Sequence, residues 1–187
     1  MALTLADQKA QLRKLAYAAR KTAHGLASDQ EANRRLLDEL GPLRGVVISG
    51  YMPIRTEVSP LVAMTALAKS NRVAVPVIAG AGLPLIFHEW TPEIVMIDGP
   101  FGARVPQTAV AVIPDVLIVP LVGFDANINR LGYGGGFYDR TLEQLRALKK
   151  IRAIGFAYSA QQLDLLPLEV TDQPLDAIVT ECGVIRP

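Results

Sequence analysis

"DVLIVPLVGFDANINRLGYGGGFYDRTLEQLRALKK", residues 115–150, sets a strand, a glycine loop and a helix in immediate succession. Val116 to Pro120 is a short apolar run of the kind that forms a buried strand. "FYDRTLEQLRALKK" reads as a helix. Between them, Gly132, Gly134, Gly135 and Gly136 give up side chains in a chain otherwise rich in Val, Ile and Leu. Glycine costs backbone entropy on ordering, so the run is either a plain connector or has a local task. Glycines permit positive φ and leave backbone N–H groups uncovered. A helix start adds unpaired donors and a positive dipole end. Arg130, at the head of the loop, adds a guanidinium suited to clamping an anion. The residues alone therefore point to an anion or nucleotide site. They match neither standard phosphate motif: G-x-x-x-x-G-K-[ST] lacks its Lys-Ser/Thr pair, and G-x-G-x-x-G is broken by Phe137.

Outward from this stretch, apolar runs alternate with helical patterns. Residues 4–23 read as a helix with Thr4 as cap. "SDQEANRRLLDELGP" reads as a second, with a Ser28–Glu31 capping box and Gly41-Pro42 as its stop. "GVVIS" is a buried strand, and "SPLVAMTALAKS" a helix capped by Ser59 with Pro60 in its first turn. "RVAVPVI" and "LPLIFHEW" are strands whose prolines, Pro76 and Pro84, belong at edges or ends. "EIVMID", "IRAIGFA" and "LDAIVTE" are further strands, the last one closing the series. This alternation predicts an α/β layered single domain over residues 1–187, with a mostly parallel central sheet flanked by helices. Ligands in such folds sit at the carboxyl ends of strands.

Composition narrows the function classes. The chain has 187 residues, half of them hydrophobic, and a net charge of +1. That suits one core, and no overall field recruits nucleic acid or an anionic membrane. The single cysteine, Cys182, excludes an internal disulfide framework and reads as a small residue near the last strand. "MALTLADQKAQLRK" has no leader-like apolar segment before its charges. The uncharged run Val73 to His88 is broken by Pro76, Gly80, Gly82 and Pro84, so it does not read as a membrane span. A soluble, cytoplasmic, monomeric protein is expected.

"FDANINRLGYGGGFYDR", residues 124–140, closely resembles the signature F-D-x-x-G-x-R-L-G-x-G-x-G-[YF]-Y-D of the 5-formyltetrahydrofolate cyclo-ligase family. "KAQLR" near the start resembles that family's basic K-x-x-L-R element, "YMPIRTEVS" its segment after the first strand, and "PLDAIVTECGVI" its closing strand. One departure is plain: Ile128 stands where the family usually has glycine. A β-branched residue is costly there if the position needs positive φ.

The resemblance implies ATP-coupled ring closure of 5-formyltetrahydrofolate to 5,10-methenyltetrahydrofolate, with the γ-phosphoryl moving to the formyl oxygen. It implies that Arg130, Leu131, Gly132, Tyr133, Gly134, Gly135, Gly136, Phe137 and Tyr138 wrap the triphosphate, with Arg130 and Tyr138 catalytic. It also implies that Tyr133 to Phe137 border the folate. Lys9 and Arg13 are carried over as further ATP contacts. Met52 and Glu57 are carried over as folate contacts, Glu57 accepting hydrogen bonds from the pterin. Asp139 and Asp176 are carried over as Mg2+ ligands, whereas Asp172 reads as a solvated loop acid. Mg2+ is thus the expected cofactor, with ATP and 5-formyltetrahydrofolate as small-molecule partners.

Read from the residues alone, several of these positions have plainer roles. Asp139 is a dipole-favouring acid in a first turn, Glu57 a solvated acid before Ser59, and Met52 a core gap-filler. Lys9, Arg13 and Arg20 fall on one helical stripe, with Leu5, Leu12, Leu15 and Ala19 on the adjacent flank and Lys14 pointing elsewhere. The helix is therefore expected to dock by its leucines and to present cations at the seam. Arg20 rests on this geometry alone. His24 reads as exposed, and Trp90 and Tyr51 as packing residues. No zinc spacing or nucleophile triad is evident. Two other classes stay open: a non-catalytic nucleotide- or folate-binding protein, and another phosphate-ligand enzyme on a similar scaffold, such as a sugar-phosphate isomerase.

Overall fold

A computed structural model describes residues 3–187; Met1 and Ala2, which open the stretch read for a leader, lie outside the described residues. In chain order the elements are α1 (Leu5–Ala23), α2 (Asp29–Leu40), β1 (Val47–Ser49), α3 (Leu61–Leu67), β2 (Arg72–Ile78), β3 (Leu85–Trp90), β4 (Met96–Asp98), β5 (Arg104–Pro106), β6 (Ala111–Val112), β7 (Val116–Pro120), β8 (Gly123–Phe124), β9 (Arg130–Leu131), α4 (Phe137–Leu148), β10 (Arg152–Phe156), β11 (Ala177–Val179) and β12 (Val184–Ile185). An eight-stranded sheet runs β12-β11-β10-β7-β1-β2-β3-β6. Its centre, β11-β10-β7-β1-β2, is parallel, and the pairings of β12, β3 and β6 are antiparallel. The expected mostly parallel sheet is present.

The apolar run of β7 explains the layering. Val116 and Ile118 face one cluster, with Leu36 and Leu40 of α2 and Met64 of α3. Leu117 and Val119 face the other, with Leu142 and Leu145 of α4. Both faces are buried, so the strand is apolar throughout rather than alternating. Pro76 lies in β2 beyond Ala74, the last residue paired with β1, while it still opposes Phe87 of β3. Its missing N–H thus falls on a locally free edge, as expected of a strand proline.

Thr4 caps α1 through a reciprocal box with Asp7, whose N–H donates to Thr4 Oγ1 at 3.2 Å. Ser28 accepts from Glu31 N at 3.1 Å, but the Glu31 carboxylate turns to Arg34 and Arg35, so only half of that box forms. Gly41 ends α2 at φ 73.

Four expectations need correcting. Residue 60, not 59, occupies the cap position of α3, and its first turn is capped by Asn33 of α2. Asn33 Oδ1 accepts from Ala63 N at 2.9 Å, and its Nδ2 donates to Ser59 O at 2.8 Å. Next, α1 does not dock by its leucines. Leu15 is 62% exposed, and the buried positions are Lys9, Ala16, Arg20 and Ala23. Ala16 sits against Gly123, so the helix crosses β8 closely where a leucine would not fit. The segment after β7 contains the two-residue strands β8 and β9, paired antiparallel. Finally, β12 follows the strand expected to be last.

Asn33→Ala should leave Ala63 N without a partner inside the protein and lower stability by about 1–3 kcal/mol. At about 2–4 °C per kcal/mol, thermal denaturation should show a clear fall. Ser59→Ala should be nearly neutral. The reverse ranking would restore Ser59 as the working cap.

Candidate active site

A cavity of about 900 Å3 opens at the carboxyl ends of the parallel strands, where Tyr51 and Met52 follow β1 and Pro120 ends β7. Lys9, Arg13, Met52, Glu57 and the whole stretch from Arg130 to Asp139 line it. The expected ATP and folate contacts are therefore brought together in one space. Asp176 is not among the lining residues. It stands exposed at the amino end of β11, where its Oδ2 accepts from Ala153 N at 2.6 Å. Asp139 Oδ1 instead bonds Arg130 Nη2 at 2.7 Å and Gln173 N at 3.2 Å. The expected Asp139–Asp176 pair has no common site. Among the described residues no group of three or more His, Cys, Asp or Glu has the placement to hold a metal ion.

The loop is shaped by arginines. Arg13 Nε donates to Gly132 O at 2.8 Å, and Arg140 Nη2 to Gly135 O at 2.6 Å. Gly134 and Gly136 have φ of 99 and 65, a region that L side chains avoid. A Cβ on Gly136 would lie 2.5 Å from Arg140 Nη1, and one on Gly134 3.4 Å from the Arg13 guanidinium. The glycines thus let two guanidiniums lie against the loop backbone. Gly136 is also the cap residue of α4 and supplies no side-chain bond to its first turn. Arg130 Nε, Arg140 Nε and the Tyr138 hydroxyl are buried without a hydrogen-bond partner. Burial, foremost, pushes the Tyr138 phenol far above its ordinary range, so it stays a proton donor at neutral pH.

Glu57 forms the other end of the site and is 5% exposed. Its Oε2 accepts from Ile54 N at 2.8 Å, and its Oε1 accepts a short hydrogen bond from the Tyr133 hydroxyl. Burial raises its carboxyl above the ordinary glutamate range, opposed by the hydrogen bonds from Tyr133 and Ile54 and by the charge of Arg20. Met52 is half-buried, packing on the core while lining the cavity, so its plain and functional roles coincide. Tyr51 is buried and donates to Val58 O at 2.6 Å, and Trp90 is buried in β3, both as packing residues. His24 is exposed at the end of α1.

Lys9 is not a free cation. It pairs with Glu169 at 2.8 Å and with Asp172 at 2.7 Å. Burial pulls its ammonium down, but these bonds outweigh it and the net direction is up. Asp172, read as a solvated loop acid, is a half-buried partner of Lys9 that lines the cavity. The sequence reading also missed Arg55, Arg104 and Arg140 as lining residues. Arg140 carried a signal: a cation in a helix's first turn opposes the dipole, so its position suggests an anion.

Residues 6–181 match the sequence profile of the 5-formyltetrahydrofolate cyclo-ligase family. The chain belongs to that family. It is 44% identical over 96 residues to the 5-formyltetrahydrofolate cyclo-ligase of Haemophilus influenzae, a match spanning 49% of this chain and 51% of that protein. The chain thus aligns with only about half the length of that relative. It is 32% identical to the Mycoplasma pneumoniae 5-formyltetrahydrofolate cyclo-ligase over 82% of this chain and 84% of that one. Its fold is similar to the solved 5,10-methenyltetrahydrofolate synthetase of Aquifex aeolicus, with TM-score 0.74, 28% identity and coverage of 95% and 92% of the two chains.

A methyl at residue 134 or 136 should strain the backbone by about 1–2 kcal/mol, partly offset by about 0.4–1 kcal/mol from a less free unfolded chain. Gly134→Ala and Gly136→Ala should therefore melt within a few degrees of the parent yet bind ATP at least about tenfold more weakly, because the displaced guanidiniums no longer converge on an anion. Calorimetry of ATP binding beside a thermal melt separates the two effects. Alanine variants with parental ATP affinity would make the loop a plain connector.

Proposed function

We propose that the protein catalyses the ATP-dependent conversion of 5-formyltetrahydrofolate to 5,10-methenyltetrahydrofolate, giving ADP and phosphate. The observation that carries this reading is the glycine loop itself. It lies between the Arg13, Arg130 and Arg140 guanidiniums on one side and, through Tyr133, the buried Glu57 on the other. One short backbone stretch thus borders an anion subsite and a hydrogen-bond acceptor suited to pterin N–H groups.

The chemistry follows from leaving-group strength. A formyl oxygen leaves poorly as hydroxide and well as phosphate. The bond between the γ-phosphorus and ADP breaks as one forms to the formyl oxygen. N10 of the folate then attacks the formyl carbon and loses its proton, and phosphate departs with that oxygen. The protein's part is alignment and charge stabilisation. Arg13 and Arg140, fixed on loop carbonyls, offset phosphate charge without reorganising. Arg130 and the unpartnered Tyr138 hydroxyl donate to the oxygens that gain charge during transfer. Mg2+, when bound, would offset phosphate charge. Asp139 would hold it, as a carboxylate that lines the cavity and is bonded to Arg130 at the head of the glycine loop, whereas Asp176 lies outside the lining. Monomeric, cytoplasmic operation is part of this reading and rests on the sequence. Among the described residues no helix is long and apolar enough to cross a membrane.

A non-catalytic reading would rest on Ile128, the departure from the family signature. That residue has φ 57 and is buried, so the backbone adopts the left-handed turn for which glycine would be chosen. The isomerase alternative has no support from the family match.

A spectrophotometric assay for methenyltetrahydrofolate should give product only with ATP, and chelation of divalent metal should abolish it. Asp139→Asn should cut turnover severely; because it also takes the charge from the partner of the buried Arg130 guanidinium, it should lower stability by up to about 3–5 kcal/mol, so turnover is compared at a temperature where a melt shows the variant folded. ATP-independent product formation would overturn the reaction, and chelator-insensitive turnover would remove the metal.

Glu57 adds a pH dependence. Its carboxyl is raised above the ordinary glutamate value of 4.5. The acceptor is therefore lost by protonation as pH falls through a midpoint above that value. 5-Formyltetrahydrofolate affinity should fall over the same interval while ATP affinity holds. Glu57→Gln should weaken folate binding at neutral pH and flatten the profile. Parental folate affinity in Glu57→Gln, read by calorimetry, would return Glu57 to a structural acid.

A further inference from the structure

Arg20 is the cation on the α1 stripe that the anion site does not use. It is 1% exposed, deep in the protein on the inner face of α1, and it does not line the cavity. Burying a guanidinium is costly unless the charge is paired and its donors are satisfied. The nearest anionic atom is Glu57 Oε1 at 3.8 Å, beyond direct hydrogen-bond reach. The connection is made by a phenol. Arg20 Nη1 donates to the Tyr133 hydroxyl at 2.8 Å, and that hydroxyl donates to Glu57 Oε1. Arg20 Nε donates to Thr56 Oγ1 at 3.1 Å, next in sequence to Glu57. The guanidinium carbon lies 5.2 Å from the Tyr17 ring and 5.7 Å from the Tyr133 ring, which hold it in place.

We propose that Arg20 is a positioning residue for the folate end of the site: through the Tyr133 hydroxyl it holds Glu57 as an ionised, oriented acceptor for the pterin's N–H donors. Because Arg20 donates to the phenol oxygen, the phenol's own hydrogen turns to Glu57 Oε1, while Ile54 N serves Oε2. With both carboxylate oxygens accepting and the Arg20 charge at 3.8 Å, the arrangement favours ionised Glu57 against the pull of burial. Arg20 is the cation that faces this carboxylate from α1. The other titratable groups around it are Tyr17 of α1, Tyr51 after β1, Tyr133 of the loop and Tyr138 of α4, all neutral phenols, with Arg55 two residues away in sequence. Remove the positive charge and burial favours the protonated acid, which presents a hydrogen where the pterin also presents one. The relay also joins the two subsites, since Tyr133 belongs to the glycine loop.

This inference rests on the reading of Glu57 as a folate contact, and the experiment keeps the two apart. The Glu57 carboxyl is titrated by carbon NMR in the ligand-free protein, and 5-formyltetrahydrofolate and ATP affinities are measured across pH by calorimetry. Arg20→Gln should raise the Glu57 midpoint by about one unit or more, as loss of a nearby opposite charge does. It should weaken folate binding at neutral pH at least about tenfold and leave ATP binding within about twofold. Arg20→Lys, which restores the charge, should return the midpoint towards the parent. Tyr133→Phe, at a residue 45% exposed and thus tolerant of change, should raise the midpoint in the same direction and keeps the test readable if Arg20→Gln does not fold. A Glu57 midpoint unmoved in Tyr133→Phe and in whichever Arg20 variants fold overturns the proposal. A raised midpoint with unchanged folate affinity upholds the Arg20–Glu57 coupling and overturns the folate role of Glu57.

Discussion

The course of the site's central loop hangs on one buried carboxylate. Asp125 is wholly buried. Its Oδ1 accepts from Asn127 N and Asn129 N, and its Oδ2 from Asn129 Nδ2 and Leu166 N. All these donors are neutral, so the charge is dispersed through hydrogen bonds rather than by a cation. Together they fold the chain back after β8, set β9 antiparallel to it and deliver Arg130 to the cavity. The bend demands a left-handed residue at position 128, and the chain supplies isoleucine. That conformation costs about 1–2 kcal/mol for an L residue. Burying the side chain among Leu142, Leu145 and their neighbours contributes about 1.5–3 kcal/mol. The core gain matches or exceeds the strain, so isoleucine is tolerated in the left-handed position.

α1 acts as a ruler laid along this loop. Lys9, Arg13 and Arg20 lie on one stripe spanning roughly 16 Å at 1.5 Å per residue. Each meets a different part of the site: the Glu169–Asp172 segment, the Gly132 carbonyl, and the Tyr133–Glu57 pair. The small residue Ala16 lets the helix approach β8 closely enough for these side chains to reach. The stripe that looks like a basic surface in projection is the inner face of the helix.

Much of this was legible from residue pattern, for a definable reason. The strand-to-helix change across 115–150 shows as an unbroken apolar run giving way to a helical period, a strong contrast in the sequence. β8, β9 and β12 are two-residue strands, too short to show any period, and were missed. The cap of α3 was misplaced because its acceptor is Asn33 from another helix, a tertiary contact that local propensity cannot encode. The leucines of α1 misled because its inner face meets a glycine-bearing strand, where small and long-stemmed polar residues pack better than branched apolar ones. The site's glycines, Glu57 and the basic stripe were recoverable from the family signature and helical geometry. The burial of Arg20 was not, since its counter-charge lies at position 57. Asp176 differs from them: matched by motif, it lies outside the cavity lining, with one carboxylate oxygen bonded to a backbone amide.

Several of the cavity's charges are paired from within, and this bears on how ligands bind. Lys9 holds two acids, Arg130 holds Asp139, and Glu57 is joined to Arg20 through Tyr133. An anion arriving at Lys9 or Arg130 therefore exchanges one partner for another, and only the difference contributes to affinity. For Arg130 the exchange has a second consequence under the proposed reaction. A phosphate that takes its guanidinium releases the Asp139 carboxylate beside a dense negative charge. Left there alone, the carboxylate opposes nucleotide binding; were it to hold a divalent cation, as proposed, the sign would reverse. Metal and nucleotide affinities would then be coupled, and by linkage each would strengthen the other equally. The Arg130–Asp139 pair keeps that carboxylate engaged until phosphate arrives.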